Sequence, residues 1–199
     1  KKEIDNSYLR LKNLVGSKLD EVSQLIKYKL ASEINLIHKM TQYHVKSGGK
    51  RIRPLLTLAS AMLCGYKNGN RDINLAACIE LIHNATLLHD DVIDNSDLRR
   101  GIKTANSVWG NQSSILVGDY LFSRCFEMMV EDGSQEILRL LSSTSSRIAQ
   151  GEVLQLEHKG EIDLLEETYF NIINMKTAAL FAAATKVGAC LGNKSKKEK

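Results

Sequence analysis

Three aspartates lie close together near the end of a long predicted helix, in the segment Leu87-Leu88-His89-Asp90-Asp91-Val92-Ile93-Asp94. Residues four apart on an α-helix are separated by about 40° around the axis, so Asp90 and Asp94 share a face and Asp91 lies on its shoulder. Like charges this close repel each other, and a hard divalent cation relieves that repulsion by binding carboxylate oxygens. The spacing therefore predicts a Mg²⁺ site at Asp90, Asp91 and Asp94, and a solvated acidic helix end is the alternative.

Two basic segments flank this helix in the sequence. The segment Gly48-Gly49-Lys50-Arg51-Ile52-Arg53-Pro54 places three cations on a glycine hinge before a helix start, where free N–H groups also attract anions. The second segment, Arg99-Arg100-Gly101, begins five residues after Asp94. Either segment alone is compatible with a solvated surface loop. Beside the carboxylates, they indicate a polyphosphate held by a metal on one side and by guanidinium groups on the other.

Two other polar residues lie on apolar helix faces and are candidates for contact with the same ligand. His83 is seven residues before Asp90, on the same face and about 10 Å away along the axis. A buried structural histidine is an equal alternative there. Lys176, followed by Thr177, lies among alanines and leucine, where its partner would be a ligand phosphate or, equally, the solvent.

Composition excludes several classes of protein. The chain has 199 residues, of which 43% are apolar and 25% charged, so it can bury a core, and no apolar run approaches the roughly 18 residues of a membrane span. A net charge of +4 does not by itself indicate a nucleic-acid partner. The start is charged, so we expect no signal peptide. Four cysteines without a CxxC pair favour reduced core residues of a cytoplasmic protein.

Helical periodicity runs through almost the whole chain. We predict helices over residues 4–14, 18–30, 31–45, 55–64, 72–94, 111–131, 134–156 and 164–191. Pro54 suits a first helical turn, Asn111 a helix cap, and Asp163 with Glu166 a capping box. Neither an internal repeat nor a convincing alternating strand is present, so the sequence predicts an all-α fold of antiparallel helices with short connections.

Six segments resemble the motifs of the trans-isoprenyl diphosphate synthase (polyprenyl synthetase) family, in the order in which that family has them. They are GGKRIRP at 48–54, LIHNATLLHDDVID at 81–94, LRRG at 98–101, GDYLF at 118–122, GEVLQL at 151–156 and KTAALF at 176–181. The most similar subgroup is the long-chain, octaprenyl type. The resemblance implies one domain over residues 1–199, an isoprenoid-synthase-type helix bundle around a deep central cavity, and a homodimer. It also implies Mg²⁺-dependent, head-to-tail condensation of an allylic diphosphate with isopentenyl diphosphate.

The same resemblance implies roles for individual residues. Asp90, Asp91 and Asp94 hold Mg²⁺ against the allylic diphosphate. The matches to residues that bind isopentenyl diphosphate are Lys50, Arg53, His83 and Arg100. The matches to contacts of the allylic diphosphate are Arg99, Lys176 and Thr177, of which the last two also steady the carbocation. Glu152 and Gln155 stand where short-chain relatives have Gln and Asp, so no role is carried over to them.

Product length can be argued from the helix below Asp90, along which a growing chain would run. No Phe, Tyr or Trp occurs between residues 67 and 108, and the resemblance implies that short-product members often carry Phe or Tyr there. Ala85 and Thr86 leave the passage open, which predicts a long product. Phe126 and Met129 are candidates for its floor, and an ordinary helix–helix core is an equal alternative for these two.

The family pattern includes a second aspartate-rich motif on a later helix, whereas Asp-Asp occurs here once, at residues 90–91. We therefore expect the chain to lack a C-terminal part, either as a fragment of a longer protein or as a truncated gene product. A non-catalytic subunit of a heteromeric synthase and, less favoured, a class I terpene cyclase are the rival interpretations. A cyclase would not need Lys50, Arg53 and His83.

Overall fold

The computed structural model describes residues 2–46, 49–195 and 197–198, and helices account for most of them. The helices are α1 (Lys2–Lys29), α2 (Asn35–Lys46), α3 (Ile52–Leu63), α4 (Arg71–Ile93), α5 (Ala105–Trp109), α6 (Asn111–Asp132), α7 (Gln135–Glu157), α8 (Glu166–Ile173) and α9 (Ala179–Leu191). A π-helical turn, Asn174–Ala178, joins α8 to α9. The all-α prediction is confirmed, and no helix of the described ranges is long and apolar enough to cross a membrane.

One small β-hairpin departs from the sequence prediction. Strand β1 (Leu98–Arg99) pairs antiparallel with β2 (Ile102–Lys103), directly after α4. The turn between the strands contains Arg100 and Gly101, both with positive φ. Two-residue strands are too short to show an alternating pattern, which is why periodicity missed them. The hairpin places Arg99 beside the end of α4.

Helix α4 is the centre of the core. The consecutive residues Ala76, Ala77, Cys78 and Ile79 are each 0% exposed, and because successive residues lie about 100° apart, every side of the helix is buried here. A helix that is apolar on most of its circumference must be enclosed by others. Accordingly, α4 packs most extensively against α6 and also against α1, α3 and α9. Its first turn, at Arg71 and Asn74, and its last turns, which carry the aspartates, reach the surface.

Small residues bring α9 into close contact with α3. A Cβ atom added at Gly188 would lie 2.5 Å from the backbone N of Ala61, and one at Gly192 would lie 2.4 Å from the carbonyl oxygen of Cys64. Such separations are below any normal packing distance, so both positions require glycine. This contact fixes α9, and therefore the π-helical turn before it, relative to α3 and α4.

Several predicted helix ends need correction. The predicted helices 4–14 and 18–30 form the single helix α1, because Gly16 does not interrupt it. Asn111 is the first residue of α6 rather than its cap, and the residue that precedes α8 makes no side-chain cap bond, so the predicted capping box at Asp163 and Glu166 is wrong. Pro54 does lie in the first turn of α3, as predicted.

Candidate functional site

A pocket of about 410 Å³ brings together the basic segments that are far apart in sequence. Five of the predicted ligand-binding residues line it: Lys50, Arg53, His83, Arg99 and Arg100. They come from the start of α3, from the middle of α4 and from the β-hairpin. Gly48, the first residue of the glycine hinge, lies outside the described residues. The convergence of these cations makes the pocket an anion-binding site by its chemistry, and we call it the cation pocket after the side chains that line it.

Arg53 is held against the back of this pocket. Its guanidinium carbon lies 4.2 Å from the ring centroid of Phe181, a residue of α9. Burial lowers the pKa of Arg53, and the negative charge of Glu80 opposes this effect. The Nε atom is buried and has no hydrogen-bond partner among the described residues. A guanidinium with an unused, desolvated N–H donor is suited to a phosphate oxygen.

Two histidines contribute uncharged polar groups to the pocket. Burial, and secondarily the charge of Arg53, lowers the pKa of His83 to about 3. Burial likewise lowers the pKa of His44, on α2, to about 4, although Asp91 opposes it. Both rings are therefore neutral near pH 7 and offer hydrogen bonds rather than charge. His83 lies beside the cations, as predicted, whereas no sequence pattern indicated His44.

A buried ion pair lies within the pocket wall. Arg51 donates a 2.6 Å hydrogen bond to Glu80, and the two side chains are 15% and 7% exposed. Burial raises the pKa of Glu80 and Arg51 lowers it. Arg51 has a left-handed backbone (φ 48°) just before α3, which turns its side chain toward α4. The spacing of Glu80 three residues before His83 on α4 was the available sequence signal, and it was missed.

The carboxylates at the end of α4 meet a further carboxylate from α7. Asp94 is the exposed C-cap residue of α4, and it lines a cavity of about 390 Å³ together with Glu152. The pKa of Asp90 is raised to about 7, chiefly by burial and next by the charge of Glu152, while Lys176 opposes the shift. Asp90, Asp94 and Glu152 therefore form one electrostatic group, which we call the carboxylate group.

Asp91 lies in a different environment from Asp90 and Asp94. Its side chain is buried and accepts hydrogen bonds from Nε (2.9 Å) and Nη2 (2.8 Å) of Arg99. This bidentate pair occupies both the carboxylate and the guanidinium fork. The role of Asp91 as a metal ligand therefore stays a prediction, and this geometry gives the residue a partner that Asp90 and Asp94 do not share. Asp91 fixes Arg99 at the edge of the pocket.

Lys176 lies beside the carboxylate group, where the sequence placed it. Its Nζ donates a 2.8 Å hydrogen bond to Glu152, and the side chains are 22% and 17% exposed. Gly151 makes this approach possible, because a Cβ there would lie 2.8 Å from the backbone N of Lys176. Single π-helical turns in α-helices are frequent at functional sites. Thr177, in the same turn, is exposed.

The carboxylates present suit a divalent metal that is bound together with substrate phosphates and water. Among the described residues, they do not form a preformed site that encloses the metal with protein ligands alone. No group of three His, Cys, Asp or Glu side chains in the described residues is arranged to enclose an ion. Mg²⁺, however, is typically bound by one or two carboxylates together with substrate phosphates and water. Asp90 and Asp94 supply two such carboxylates, and Oε1 of Glu152 is buried without a partner among the described atoms.

The residues predicted to set the product length, Ala85, Thr86 and Met129, lie in two different environments. Thr86 is half-buried and belongs to a stripe on the open face of the helix, which consists of His83, Thr86, Leu87 and Asp90. Ala85 and Met129 are buried in the core, at 0% and 2% exposed. Phe126 is 46% exposed, so it does not share the position of Met129, and the two residues do not form the predicted joint floor.

Comparisons with known proteins agree with this geometry. A family model described as Polyprenyl synthetase matches residues 34–199. The octaprenyl diphosphate synthase of Escherichia coli is 44% identical over 182 residues, which are 92% of this chain and 56% of that protein. The crystal structure of a decaprenyl diphosphate synthase from Rhodobacter capsulatus is similar, with a TM-score of 0.91 and 44% identity over 96% of this chain and 59% of that one.

A second solved structure is a polyprenyl synthase from Caulobacter crescentus, in complex with calcium and isoprenyl diphosphate. It has a TM-score of 0.92 and 44% identity, and the match covers 94% of this chain and 57% of that one. The chain thus spans little more than half the length of these relatives.

Proposed function

Since this chain belongs to the polyprenyl synthetase family, we propose that it forms the diphosphate-binding part of a trans-prenyltransferase. The reaction is the head-to-tail condensation of an allylic diphosphate with isopentenyl diphosphate, with Mg²⁺ as the metal, toward a long-chain product of the octaprenyl type. Residues 1–199 form a single domain of this enzyme. One observation carries the proposal: the cation pocket and the carboxylate group lie along one open face of α4. His83 belongs to the cation pocket and Asp90 to the carboxylate group.

The cation pocket is the proposed site of isopentenyl diphosphate. Lys50, Arg53 and Arg100 bind its phosphate oxygens, and the unused Nε donor of Arg53 is satisfied there. His83, which is neutral, contributes a hydrogen bond without adding charge. Five cationic side chains and the single carboxylate of Glu80 line this pocket among the described residues, which gives it a positive balance. It therefore holds an anion without help from a metal.

The carboxylate group is the proposed site of the allylic diphosphate. Asp90 and Asp94 would hold Mg²⁺, which when bound neutralises charge on the departing pyrophosphate. Arg99, Lys176 and Thr177 donate hydrogen bonds to the same diphosphate. As the C–O bond breaks, these donors stabilise the leaving group, and the double bond of the isopentenyl substrate attacks the allylic carbocation. A proton is then lost from the condensed product to a pyrophosphate oxygen.

The open face of α4 is the proposed path of the growing chain. Thr86 and Leu87 follow directly below Asp90 on this face. Small or aliphatic side chains leave room along it and keep water away from the carbocation. Ala85 and Met129 lie behind the face, in the packed core, where they set the positions of α4 and α6. This arrangement supports a long product.

We also propose that the protein is a cytoplasmic homodimer. Helix α6 exposes large apolar side chains, including Leu116 and Val130, both 67% exposed. Patches of this kind mark interaction surfaces. Size-exclusion chromatography with light scattering should give twice the monomer mass, and a monomeric mass at micromolar concentration would contradict the dimer.

The direct test incubates the protein with isopentenyl and farnesyl diphosphates and Mg²⁺, followed by chromatography of the products. We expect polyprenyl diphosphates longer than the primer. Calorimetric titration with isopentenyl diphosphate accompanies it, using Arg53→Met and the matched surface variant Arg139→Met. Binding lost only in Arg53→Met supports the pocket assignment. A protein that binds neither diphosphate contradicts the proposal, and one that binds both without turnover indicates a non-catalytic subunit.

A further inference from the structure

The hydrogen bond between Lys176 and Glu152 ties the π-helical turn to α7. The bond measures 2.8 Å, and both side chains are less than one quarter exposed. The backbone contact at Gly151 keeps the two elements together, so Glu152 lies next to Lys176 because of the fold rather than by a chance rotamer. The other carboxylate oxygen of Glu152, Oε1, is buried and lacks a partner among the described residues.

The charges on this side of the cleft are paired one to one. Arg99 is held by Asp91 and Lys176 by Glu152, each at 2.8 Å. Neither Asp90 nor Asp94 forms an ion pair with a described residue, so carboxylates outnumber cations on this side even with Lys159 in the cavity that Asp94 lines. The cation pocket has the opposite balance, because Glu80 is the only carboxylate among its described lining residues. A diphosphate that approaches the carboxylate group without a metal is therefore repelled.

We infer that Glu152 is a positioning residue that holds Lys176 while the allylic site is empty and makes the binding of diphosphate there depend on the metal. The inference rests on the proposed function of this site. Asp90, Asp91 and Asp94 are the ligands that the resemblance implies, and nothing in that resemblance assigns a role to Glu152.

The exchange on binding involves hydrogen bonds and no covalent step. Lys176 Nζ turns one N–H from the carboxylate of Glu152 to a phosphate oxygen, so the ammonium stays satisfied throughout. Glu152 keeps its negative charge and loses its counter-ion, beside Asp90 and Asp94. A diphosphate that brings a divalent cation compensates these three carboxylates. A diphosphate without one leaves them uncompensated, and Lys176 then stays with Glu152.

The experiment measures binding rather than turnover. Farnesyl diphosphate alone, without isopentenyl diphosphate, is titrated calorimetrically in Mg²⁺ and in EDTA into the wild-type protein and into Glu152→Gln. The amide has the shape of the carboxylate and still accepts a hydrogen bond from Lys176, so only the charge changes. The measured quantity is the dissociation constant in EDTA divided by that in Mg²⁺. Loss of one negative charge a few ångströms from the ligand should reduce this ratio about tenfold. Glu157→Gln, an exposed position on the same helix, is the matched control.

The outcomes separate this inference from the proposed function. A ratio that falls in Glu152→Gln and stays at the wild-type value in Glu157→Gln supports the role of Glu152. An unchanged or larger ratio overturns it, as does an equal change in the binding of isopentenyl diphosphate, which belongs to the other pocket. If the wild-type protein does not bind farnesyl diphosphate even in Mg²⁺, the proposed function itself fails. Circular dichroism confirms folding, and Glu152→Met provides a second neutral variant if the amide does not fold.

Discussion

Asp90 and Asp91 are neighbours in the sequence, yet the same substitution should change stability in opposite directions. We expect Asp91→Asn to destabilise the protein and Asp90→Asn to stabilise it at pH 7 in metal-free buffer. Asp91 is buried against Arg99, whereas Asp90 faces Glu152 and Asp94. The first variant therefore removes an attraction, and the second removes a charge that is destabilised chiefly by burial and next by repulsion from Glu152.

The magnitudes follow from burial and charge. Loss of one partner from a fully buried ion pair costs about 3–5 kcal/mol. Arg99 retains 34% exposure and can turn toward water, so we expect Asp91→Asn to lose about 2 kcal/mol. The pKa of Asp90 rises from 3.8 to about 7 in the folded state. At about 1.4 kcal/mol per pKa unit the ionised form costs at most about 4 kcal/mol, and solvent screening reduces this to about 1–2 kcal/mol.

The direction of the pKa shift of Asp90 also determines how the stability gained in Asp90→Asn depends on pH. Its pKa is raised on folding, so the folded protein binds a proton at a pH where the unfolded chain has lost it. The gain from Asp90→Asn should therefore be largest near pH 7 and shrink as the pH falls toward 4. Urea unfolding followed by circular dichroism measures both variants, with the exposed Asp20→Asn as a control expected to stay within about 0.5 kcal/mol. An Asp91→Asn protein as stable as the wild type, or an Asp90→Asn protein as unstable as Asp91→Asn, would refute this reasoning.

Three further predictions concern the histidines, the glycines and the open face of α4. Because burial keeps His83 and His44 neutral in the folded state, each ring should reduce the free energy of unfolding as the pH falls below about 6.5, by at most about 1.4 kcal/mol per pH unit, while Asp90 acts in the opposite direction. Urea unfolding at pH 7 and pH 5 should show a smaller decrease in His83→Gln, and an identical decrease contradicts the assignment. Gly151→Ala should cost about 1–3 kcal/mol because its Cβ meets the backbone of the π-helical turn, whereas Gly16→Ala, with open space and a helical backbone, should gain about 0.5–1 kcal/mol in thermal unfolding. In an active, longer version of the protein, Thr86→Phe should shorten the products seen by chromatography, and an unaltered distribution would remove the argument that the chain runs along this face.

Helical periodicity was sufficient to place Asp90 and Asp94 correctly, because one turn of helix separates them whatever surrounds it. It did not indicate the environment of Asp91. A residue on the shoulder of a helix turns toward whichever neighbour packs there, and that neighbour was a two-residue hairpin with no detectable pattern. The pairing with Arg99 therefore depends on tertiary contacts that the local sequence does not encode.

The residues of the cation pocket were likewise predictable only in part. Lys50, Arg53 and Arg100 could be predicted because their residue types and their position at chain breaks suit an anion. Glu80 and His44 could not, since both are buried titratable groups whose role depends on which cations surround them. The π-helical turn was equally hidden, because it depends on the approach of Gly151 from another helix.

The π-helical turn has a consequence for the phase of the last helix. One additional residue in a helical turn rotates everything beyond it by about 100°. Within the π-helical turn, Lys176 faces Glu152; after it, Leu180, Ala183 and Val187 face the interior. In a regular α-helix, a rotation that points Lys176 toward Glu152 would turn the apolar residues of α9 away from the interior. The offset lets the segment present a cation to the cleft and an apolar stripe to the interior, so the two requirements can vary independently in evolution.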